Sequence, residues 1–215
     1  MNRNLARRQM VAQQVRAWDV FDQEVLNVLG GVAREHFVPA GYADVAYIDT
    51  EIPLPHGQVM LRPIIEGRLL QALELNGGSL VLEIGTGTGY LTACLARMSG
   101  SVTSIDIRED FIAAATRNLE SAEIDNASLQ CMDAMTELPD GVFDAIAVTG
   151  SVPRIDERFI NALRPGGRLF LVAGESPVMS ALLITRDGDN WQQNSLFETD
   201  IPALENTAEE SVFSF

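Results

Sequence analysis

A glycine-rich segment is the part of the sequence whose residue types and spacing most directly indicate ligand binding. Residues 83–90 read E-I-G-T-G-T-G-Y, after an apolar run at 80–84 that predicts a strand and before a periodic run that predicts a helix. Glycine permits the tight turn and the close backbone approach to a ligand that such a connection needs. We therefore expect a cofactor-binding loop made of Glu83, Gly85, Thr86, Gly87, Thr88 and Gly89.

The spacing of the glycines and the acid before them distinguish between possible cofactors. The dinucleotide fingerprint is G-x-G-x-x-G, and it places an anionic pyrophosphate at a helix N-terminus. Here the spacing is G-x-G-x-G, and Glu83 stands two residues before the first glycine. S-adenosyl-L-methionine has no phosphate and carries a cationic sulfonium, so an acid near the loop suits it better. The motif predicts this cofactor, with S-adenosyl-L-homocysteine as its product; a nicotinamide oxidoreductase is the distant alternative, which NADH titration would test.

Further candidate residues follow the later strands. Asp106 ends a strand 17 residues after Gly89, near the position where an acid accepts hydrogen bonds from ribose hydroxyls in dinucleotide-binding folds. Asp133, after the next strand, is a candidate for the adenine amino group. Ligands of open α/β sheets bind beyond the carboxyl ends of the strands. The expected cofactor-binding set is completed on this ground by Ile107, Ala134 and Thr149.

The periodicity of apolar residues predicts the elements that position these groups. Strand and helix alternate from residue 80 to 172, which is typical of a parallel sheet covered by helices on both faces. The predicted strands are 80–84, 102–106, 128–131, 143–148, 167–172, 180–186 and 191–199, with one more at 211–215. The predicted helices are 4–17, 22–30, 63–75, 90–98, 109–122 and 155–163. The fold class is α/β, a Rossmann-like, doubly wound, mostly parallel sheet with antiparallel C-terminal strands.

We expect one domain over residues 1–215. Residues 1–62 supply N-terminal helices and a covering arm, because the proline- and glycine-rich stretch 36–62 reads as irregular, and residues 63–215 form the Rossmann-like core. The acidic stretch from Glu205 to Glu210 reads as a solvated loop without a role.

Charge and cysteine content exclude several classes of function. The net charge is −15, and all fifteen basic residues are arginine, so binding to nucleic acid or to anionic membranes is not expected. Cys94 and Cys131 form no cluster with His36 and His56, which predicts neither a metal site nor a disulfide. The sequence shows neither a secretory signal nor an apolar run of membrane-spanning length, so we expect a cytoplasmic protein.

Several segments together resemble the protein-L-isoaspartate O-methyltransferase family. Residues 32–39, V-A-R-E-H-F-V-P, are similar to the family's V-P-R-E-x-F-V-P, and residues 82–90 match its L-E-I-G-T-G-S-G-Y almost letter for letter. Further similarities are A-Y at 46–47, P-L-P-H-G-Q at 53–58, V-T-G-S-V-P at 148–153 and P-G-G-R-L at 165–169. The loop alone occurs in many methyltransferases, whereas the R-E-x-F-V-P and G-Q segments point to this family. The resemblance implies methyl transfer to the carboxylate of an isoaspartyl residue in a damaged protein or peptide. This is a direct displacement on a group that needs no base, so no catalytic residue is assigned.

The sequence departs from the family next to the G-Q segment. The family continues with Thr-Ile-Ser, whereas Val59 and Leu61 replace the two hydroxyl residues here, and Arg62 follows as a group that could pair with a carboxylate. The family's Gln after the last conserved strand is also absent at Pro177-Val178. A hydrogen bond to a charged group contributes roughly 1.5–3 kcal/mol, so the change could reduce activity strongly. Two hypotheses stay open: an active methyltransferase, or a cofactor-binding homologue with another acceptor or a binding role.

Overall fold

Nine strands are present in the computed structural model, which describes residues 2–207. In chain order they are β1 (Ile52–Pro53), β2 (Val59–Met60), β3 (Leu80–Ile84), β4 (Ser101–Asp106), β5 (Ala127–Cys131), β6 (Phe143–Val152), β7 (Leu163–Glu175), β8 (Val178–Asp187) and β9 (Asn190–Thr199). β1 and β2 form a small antiparallel pair, and the other seven form one sheet in the order β5-β4-β3-β6-β7-β8-β9. Neighbours from β5 to β7 are parallel, whereas β8 and β9 are antiparallel. The predicted Rossmann-like sheet with antiparallel C-terminal strands is confirmed.

The helices lie between these strands and before them. They are α1 (Arg3–Gln9), α2 (Gln23–Gly31), α3 (Pro63–Leu73), α4 (Tyr90–Met98), α5 (Glu109–Ser121) and α6 (Glu157–Asn161). Shorter helical turns are Met10–Val15, of π type, and Arg16–Trp18, Arg34–His36 and Pro55–Gly57, of 3-10 type. No helix within the described part of the chain is long and apolar enough to cross a membrane.

Several predicted boundaries are wrong, including that of the strand expected at 167–172, which runs from Leu163 to Glu175. The helix expected at 4–17 is α-helical only to Gln9, and its hydrogen bonding then changes to the π pattern. The helix expected at 155–163 ends at Asn161, because Leu163 already pairs with Phe143 in the sheet. The strand expected at 143–148 continues to Val152 through a register shift that follows Ala147. The strand expected at 211–215 lies outside the described residues.

The N-terminal elements pack directly on the sheet-covering helix α3. A Cβ atom added to Gly67, in the middle of α3, would lie 2.7 Å from Cγ1 of Val15, so the π turn and α3 approach each other at a distance that glycine permits. Met10 and Val15 are fully buried in the same apolar cluster as Leu69 and Leu70 of α3. The irregular stretch that follows joins this packing through Ile52 of β1 and Met60 of β2, which are buried in the same cluster. The assignment of residues 1–215 to one domain stays a prediction.

Candidate cofactor site

A cleft lies at the carboxyl ends of β3, β4, β5 and β6, where ligands bind in open α/β sheets. Its sheet-side lining consists of Ile84, Gly85, Gly87, Ile105, Asp106, Ile107, Arg108, Phe111, Met132, Asp133, Ala134, Met135, Thr149 and Gly150. Leu54, Gln58 and Val59 of the arm line a second side. Leu204 and Glu205, from the segment after β9, line a third side.

The glycine loop forms the part of the cleft that follows β3. Gly85 and Gly87 have φ angles of 96° and 51°, so both lie in the region that side chains disfavour. The amides of Gly85 and Thr86 both donate to the carbonyl oxygen of Ile105, at 2.8 and 3.2 Å, which joins the loop to β4. The loop therefore presents backbone rather than side chains to a ligand.

Asp106 is held at the end of β4 by two backbone amides. Its Oδ2 accepts from the amide of Gly87 at 2.9 Å, and its Oδ1 accepts from the amide of Arg108 at 2.9 Å. Burial raises the pKa of Asp106, while these two hydrogen bonds oppose the rise. Each carboxylate oxygen keeps a further lone pair, so the group can accept hydrogen bonds from a pair of vicinal hydroxyls.

Asp133 and Ala134 form the neighbouring part of the cleft, after β5. The Oδ1 atom of Asp133 accepts from the amide of Met135 at 2.8 Å, and its Oδ2 accepts from the side-chain amide of Asn206 at 2.8 Å. Ala134 and Ile107 add apolar walls between the two acids. An acceptor flanked by apolar surface fits a flat heteroaromatic ring that carries an amino group.

Glu83 lies behind the loop and not in the cleft. The hydroxyl of Ser104 donates to its Oε2 at 2.6 Å, and the hydroxyl of Thr92 donates to the same oxygen at 2.5 Å. Burial raises the pKa of Glu83 to about 8, so its carboxyl group is largely protonated near neutral pH. The expectation that this acid faces a cationic ligand therefore has no support in its position or its charge, and the hydroxyl network instead braces β3 against β4 and α4.

Three other loop residues predicted as ligand contacts, Thr86, Thr88 and Gly89, are also not among the residues that line the cleft. The hydroxyls of Thr86 and Ser104 are 2.6 Å apart, which extends the network below the loop. The carbonyl oxygen of Thr88 accepts from the side chain of Asn118 at 2.9 Å, and a Cβ on Gly89 would lie 3.0 Å from that of Ala115. Thr86 therefore joins the loop to β4, and Thr88 and Gly89 join it to α5. Of the predicted set, the cleft lining contains Gly85, Gly87, Asp106, Ile107, Asp133, Ala134 and Thr149.

Sequence reasoning did not identify several lining residues, and Glu205 is the clearest case. It was expected in a solvated loop without a role, but it forms a two-pronged ion pair with Arg108, whose Nε donates to Oε1 at 2.8 Å. The two residues are 97 positions apart, so only the tertiary fold brings them together. Arg108 follows Asp106 by two positions, and this proximity to a predicted strand end could have identified Arg108 as a lining residue.

The residues that replace the family's hydroxyl positions have different surroundings. Val59 lines the cleft, whereas the side chain of Leu61 is buried in the core and only 5% of the residue is exposed. The carbonyl oxygen of Leu61 accepts from Nη2 of Arg34 at 2.5 Å, and Arg34 is in turn ion-paired with the buried Glu66. Arg62 is ion-paired with Asp49 and does not line the cleft.

Known proteins are similar to this chain in sequence and in fold. The family model for protein-L-isoaspartate(D-aspartate) O-methyltransferase matches residues 6–202. A protein-L-isoaspartate O-methyltransferase of Brucella anthropi is 36% identical over 183 residues, which cover 84% of each chain. Protein-L-isoaspartate O-methyltransferase 1 of Rhodopseudomonas palustris is 38% identical over 169 residues, 78% of this chain and 69% of the relative.

A solved structure supports the same relationship at the level of the fold. It is described as a protein-L-isoaspartate O-methyltransferase of Plasmodium falciparum in complex with S-adenosyl-L-homocysteine, and it superposes with a TM-score of 0.78 at 22% identity. The match covers 93% of this chain and 98% of that structure. On the family match and the identity to these relatives, this chain belongs to the protein-L-isoaspartate(D-aspartate) O-methyltransferase family.

Proposed function

We propose that this protein transfers the methyl group of S-adenosyl-L-methionine to the side-chain carboxylate of an isoaspartyl residue in a protein or peptide. The observation that carries the proposal is the cleft at the carboxyl ends of β3 to β6, which unites the glycine loop, Asp106 and Asp133 in a chain of this family. The relatives named above are described as protein-L-isoaspartate O-methyltransferases.

The chemistry of the cleft fits the proposed cofactor. Asp106 offers acceptors for ribose hydroxyls, and Asp133 offers an acceptor for the adenine amino group beside the apolar Ala134 and Ile107. Gly85 and Gly87 leave room for close approach of the aminoacyl part to the backbone. We assign contact with the cofactor to these residues and to Thr149. Glu83, Thr86, Thr88 and Gly89 we assign to support of the loop.

The reaction requires the protein to position the two reactants and does not require an acid or a base. S-adenosyl-L-methionine supplies a methyl group on a cationic sulfonium, and a carboxylate oxygen of the acceptor displaces the neutral thioether. The acceptor is already ionised at neutral pH, so no general base is needed. What the chain must do is align donor and acceptor and keep water out, and alignment alone can contribute several kcal/mol, up to about 7–11 kcal/mol in well-oriented systems.

The arm supplies the side of the cleft that the acceptor must approach. Leu54, Gln58 and Val59 line it, so the polar group offered there is the carboxamide of Gln58. We infer that this carboxamide orients the acceptor, since a carboxylate accepts hydrogen bonds from an amide. The apolar character of Leu54 and Val59 favours a second candidate function, in which the cofactor is bound but the acceptor is a less polar carboxylate than an isoaspartyl peptide.

Methyl transfer from labelled S-adenosyl-L-methionine to an isoaspartyl peptide tests the proposal. The matched control is the same peptide with a normal aspartyl residue. Val59→Thr is the informative variant, because Val59 lines the cleft whereas Leu61 is in the core, where a serine would leave a cavity. We expect turnover of the isoaspartyl peptide only, and a several-fold increase in kcat/KM for Val59→Thr. Cofactor binding without turnover by either protein would reject isoaspartyl methylation and favour the second function.

A further inference from the structure

The segment that follows β9 crosses the mouth of the proposed cofactor cleft. It is anchored on the end of β6: the amide of Ser151 donates to the carbonyl oxygen of Pro202 at 2.9 Å, and the amide of Leu204 donates to that of Ser151 at 2.9 Å. The hydroxyl of Ser151 donates to the carbonyl oxygen of Ile201 at 3.1 Å. Residues 201–204 therefore run beside β6 as a short extension of the sheet, and Leu204 and Glu205 line the cleft.

Two side chains of this segment bond to residues of the cleft lining. Glu205 is ion-paired with Arg108, at the end of β4, through both carboxylate oxygens. Asn206 donates its side-chain amide to Oδ2 of Asp133, after β5, at 2.8 Å. The Asn206 carboxamide offers a planar NH₂ donor, as the amino group of adenine does. It therefore takes the acceptor that the proposed adenine site would use.

The free space in the cleft is correspondingly small. Its volume is about 90 Å³, whereas sites for small organic ligands enclose about 300–1,000 Å³. A molecule with an adenine, a ribose and an amino acid tail therefore requires that part of the lining move. The sheet-side lining is fixed by the strands and their backbone hydrogen bonds, while Glu205 and Asn206 are held at the cleft by side-chain bonds.

We propose that residues Leu204–Thr207 form a plug that competes with the cofactor, with Asn206 occupying the adenine acceptor of Asp133 and Glu205 fastening the plug to Arg108. The proposal rests on the proposed function, since it takes the cleft as the cofactor site. Binding of the cofactor requires release of both side-chain contacts, and the measured affinity is reduced by the fraction of molecules in which the plug is closed. The anchor on Ser151 stays in place, so the segment is displaced and then returns without leaving the fold.

Removal of the plug contacts should strengthen binding. We expect Asn206→Ala to bind S-adenosyl-L-homocysteine about 3- to 10-fold more tightly than the unmodified protein, and Glu205→Gln/Asn206→Ala about 10-fold or more, because each contact is a hydrogen bond to a charged group. Isothermal titration calorimetry gives the affinities directly. Asn194→Ala and Glu198→Gln are the matched controls, since both residues are exposed on β9 and do not line the cleft.

Hydrogen exchange supplies a second readout that does not depend on turnover. If the plug is displaced, the amides of residues 205–207 should exchange faster when S-adenosyl-L-homocysteine is bound, whereas the amide of Leu204, which donates to Ser151, should keep its protection. Weaker binding by the variants, or protection of residues 205–207 by the ligand, would show instead that the segment is a wall of the occupied site, and would overturn the proposal. Binding that is unchanged in the variants would also overturn it while leaving the proposed function intact. If neither the unmodified protein nor the double variant bound the ligand, the proposed function and the plug would both be rejected.

Discussion

The hydroxyl of Thr149, on β6, donates its one proton to a shared hydrogen bond with the carbonyl oxygens of Gly85, at 2.8 Å, and of Ile84, at 3.1 Å. A Cβ atom added to Gly85 would lie 2.1 Å from that hydroxyl oxygen. The glycine loop and β6 therefore meet at a separation that excludes any side chain on Gly85, and the φ of 96° at this position independently requires glycine.

Gly85→Ala should remove cofactor binding. The added methyl group must displace either Thr149 or the loop, and the loop backbone is the surface that the cofactor is proposed to contact. We expect the affinity for S-adenosyl-L-homocysteine to fall by roughly 100-fold or more and the free energy of unfolding to fall by about 1–3 kcal/mol. Gly188→Ala is the control, because it also has a positive φ, 61°, but its added Cβ has no neighbour within 4 Å. Equal loss of binding in both variants would contradict this account.

Asp106→Asn should weaken cofactor binding and, because one of the two backbone amides loses its acceptor, should also lower the free energy of unfolding by about 1–3 kcal/mol. The asparagine keeps one oxygen for the amide of Gly87 or of Arg108, but it loses the charge and the second acceptor that the ribose hydroxyls need. We expect about a 10- to 100-fold loss of affinity for S-adenosyl-L-homocysteine, measured by calorimetry. Asp140→Asn, on an exposed turn, should bind normally. An Asp106→Asn protein with unchanged affinity would show that this acid does not contact the cofactor.

The sequence predicts the elements around the site because local patterns determine them. The run at 80–84, the glycines that follow it and the acid at 106 together indicate a strand, a turn and a second strand end, and parallel pairing brings Gly87 within hydrogen-bond distance of Asp106. The placement of Ile107, Asp133, Ala134 and Thr149 at the cleft was predictable for the same reason, because each follows or ends a predicted strand. The order of β8 and β9 was predictable because no helical pattern separates them.

Contacts between distant segments were not predictable. No local pattern indicates that Glu205 reaches Arg108 or that Asn206 reaches Asp133, since each pair depends on how the chain returns after β9. The side of the sheet that the Glu83 side chain faces was also not predictable from the sequence. A strand residue can face either side of a sheet, and a charged side chain in a cofactor motif suggests exposure to the ligand. The hydroxyls of Thr92 and Ser104 instead satisfy it in the interior.

The buried carboxyl group of Glu83 should make stability depend on pH. Burial raises its pKa from 4.5 to about 8, so the folded protein binds more protons than the unfolded chain between these values. The stabilisation that comes from protonated Glu83 is therefore fully present below pH 4.5. It is lost as the pH rises to about 8, at about 1.4 kcal/mol per pH unit. Glu83→Gln should remove this decline. Denaturant unfolding at pH 5, 6.5 and 8 checks it, and parallel pH profiles for the two proteins would contradict the assignment.

The buried ion pair of Arg34 and Glu66 should matter both for stability and for the acceptor side of the cleft. Burial raises the pKa of Glu66 and the Arg34 guanidinium opposes that rise, so Arg34→Met leaves an acid without its partner and should lower the free energy of unfolding by about 3–5 kcal/mol. Arg34→Met/Glu66→Leu should recover most of this loss, because it removes both buried charges.

The double variant should not recover function to the same extent. Arg34 also donates to the carbonyl oxygen of Leu61, two residues after Val59 in the cleft lining, and methionine cannot replace that donor. We expect Arg34→Met/Glu66→Leu to keep its affinity for S-adenosyl-L-homocysteine and to show a several-fold higher KM for an isoaspartyl peptide. Denaturant unfolding and steady-state kinetics separate the two effects. If the stabilised double variant had an unchanged KM, the Arg34 contact would serve only the core, and the position of Val59 would have to be set by the pairing of β1 with β2 alone.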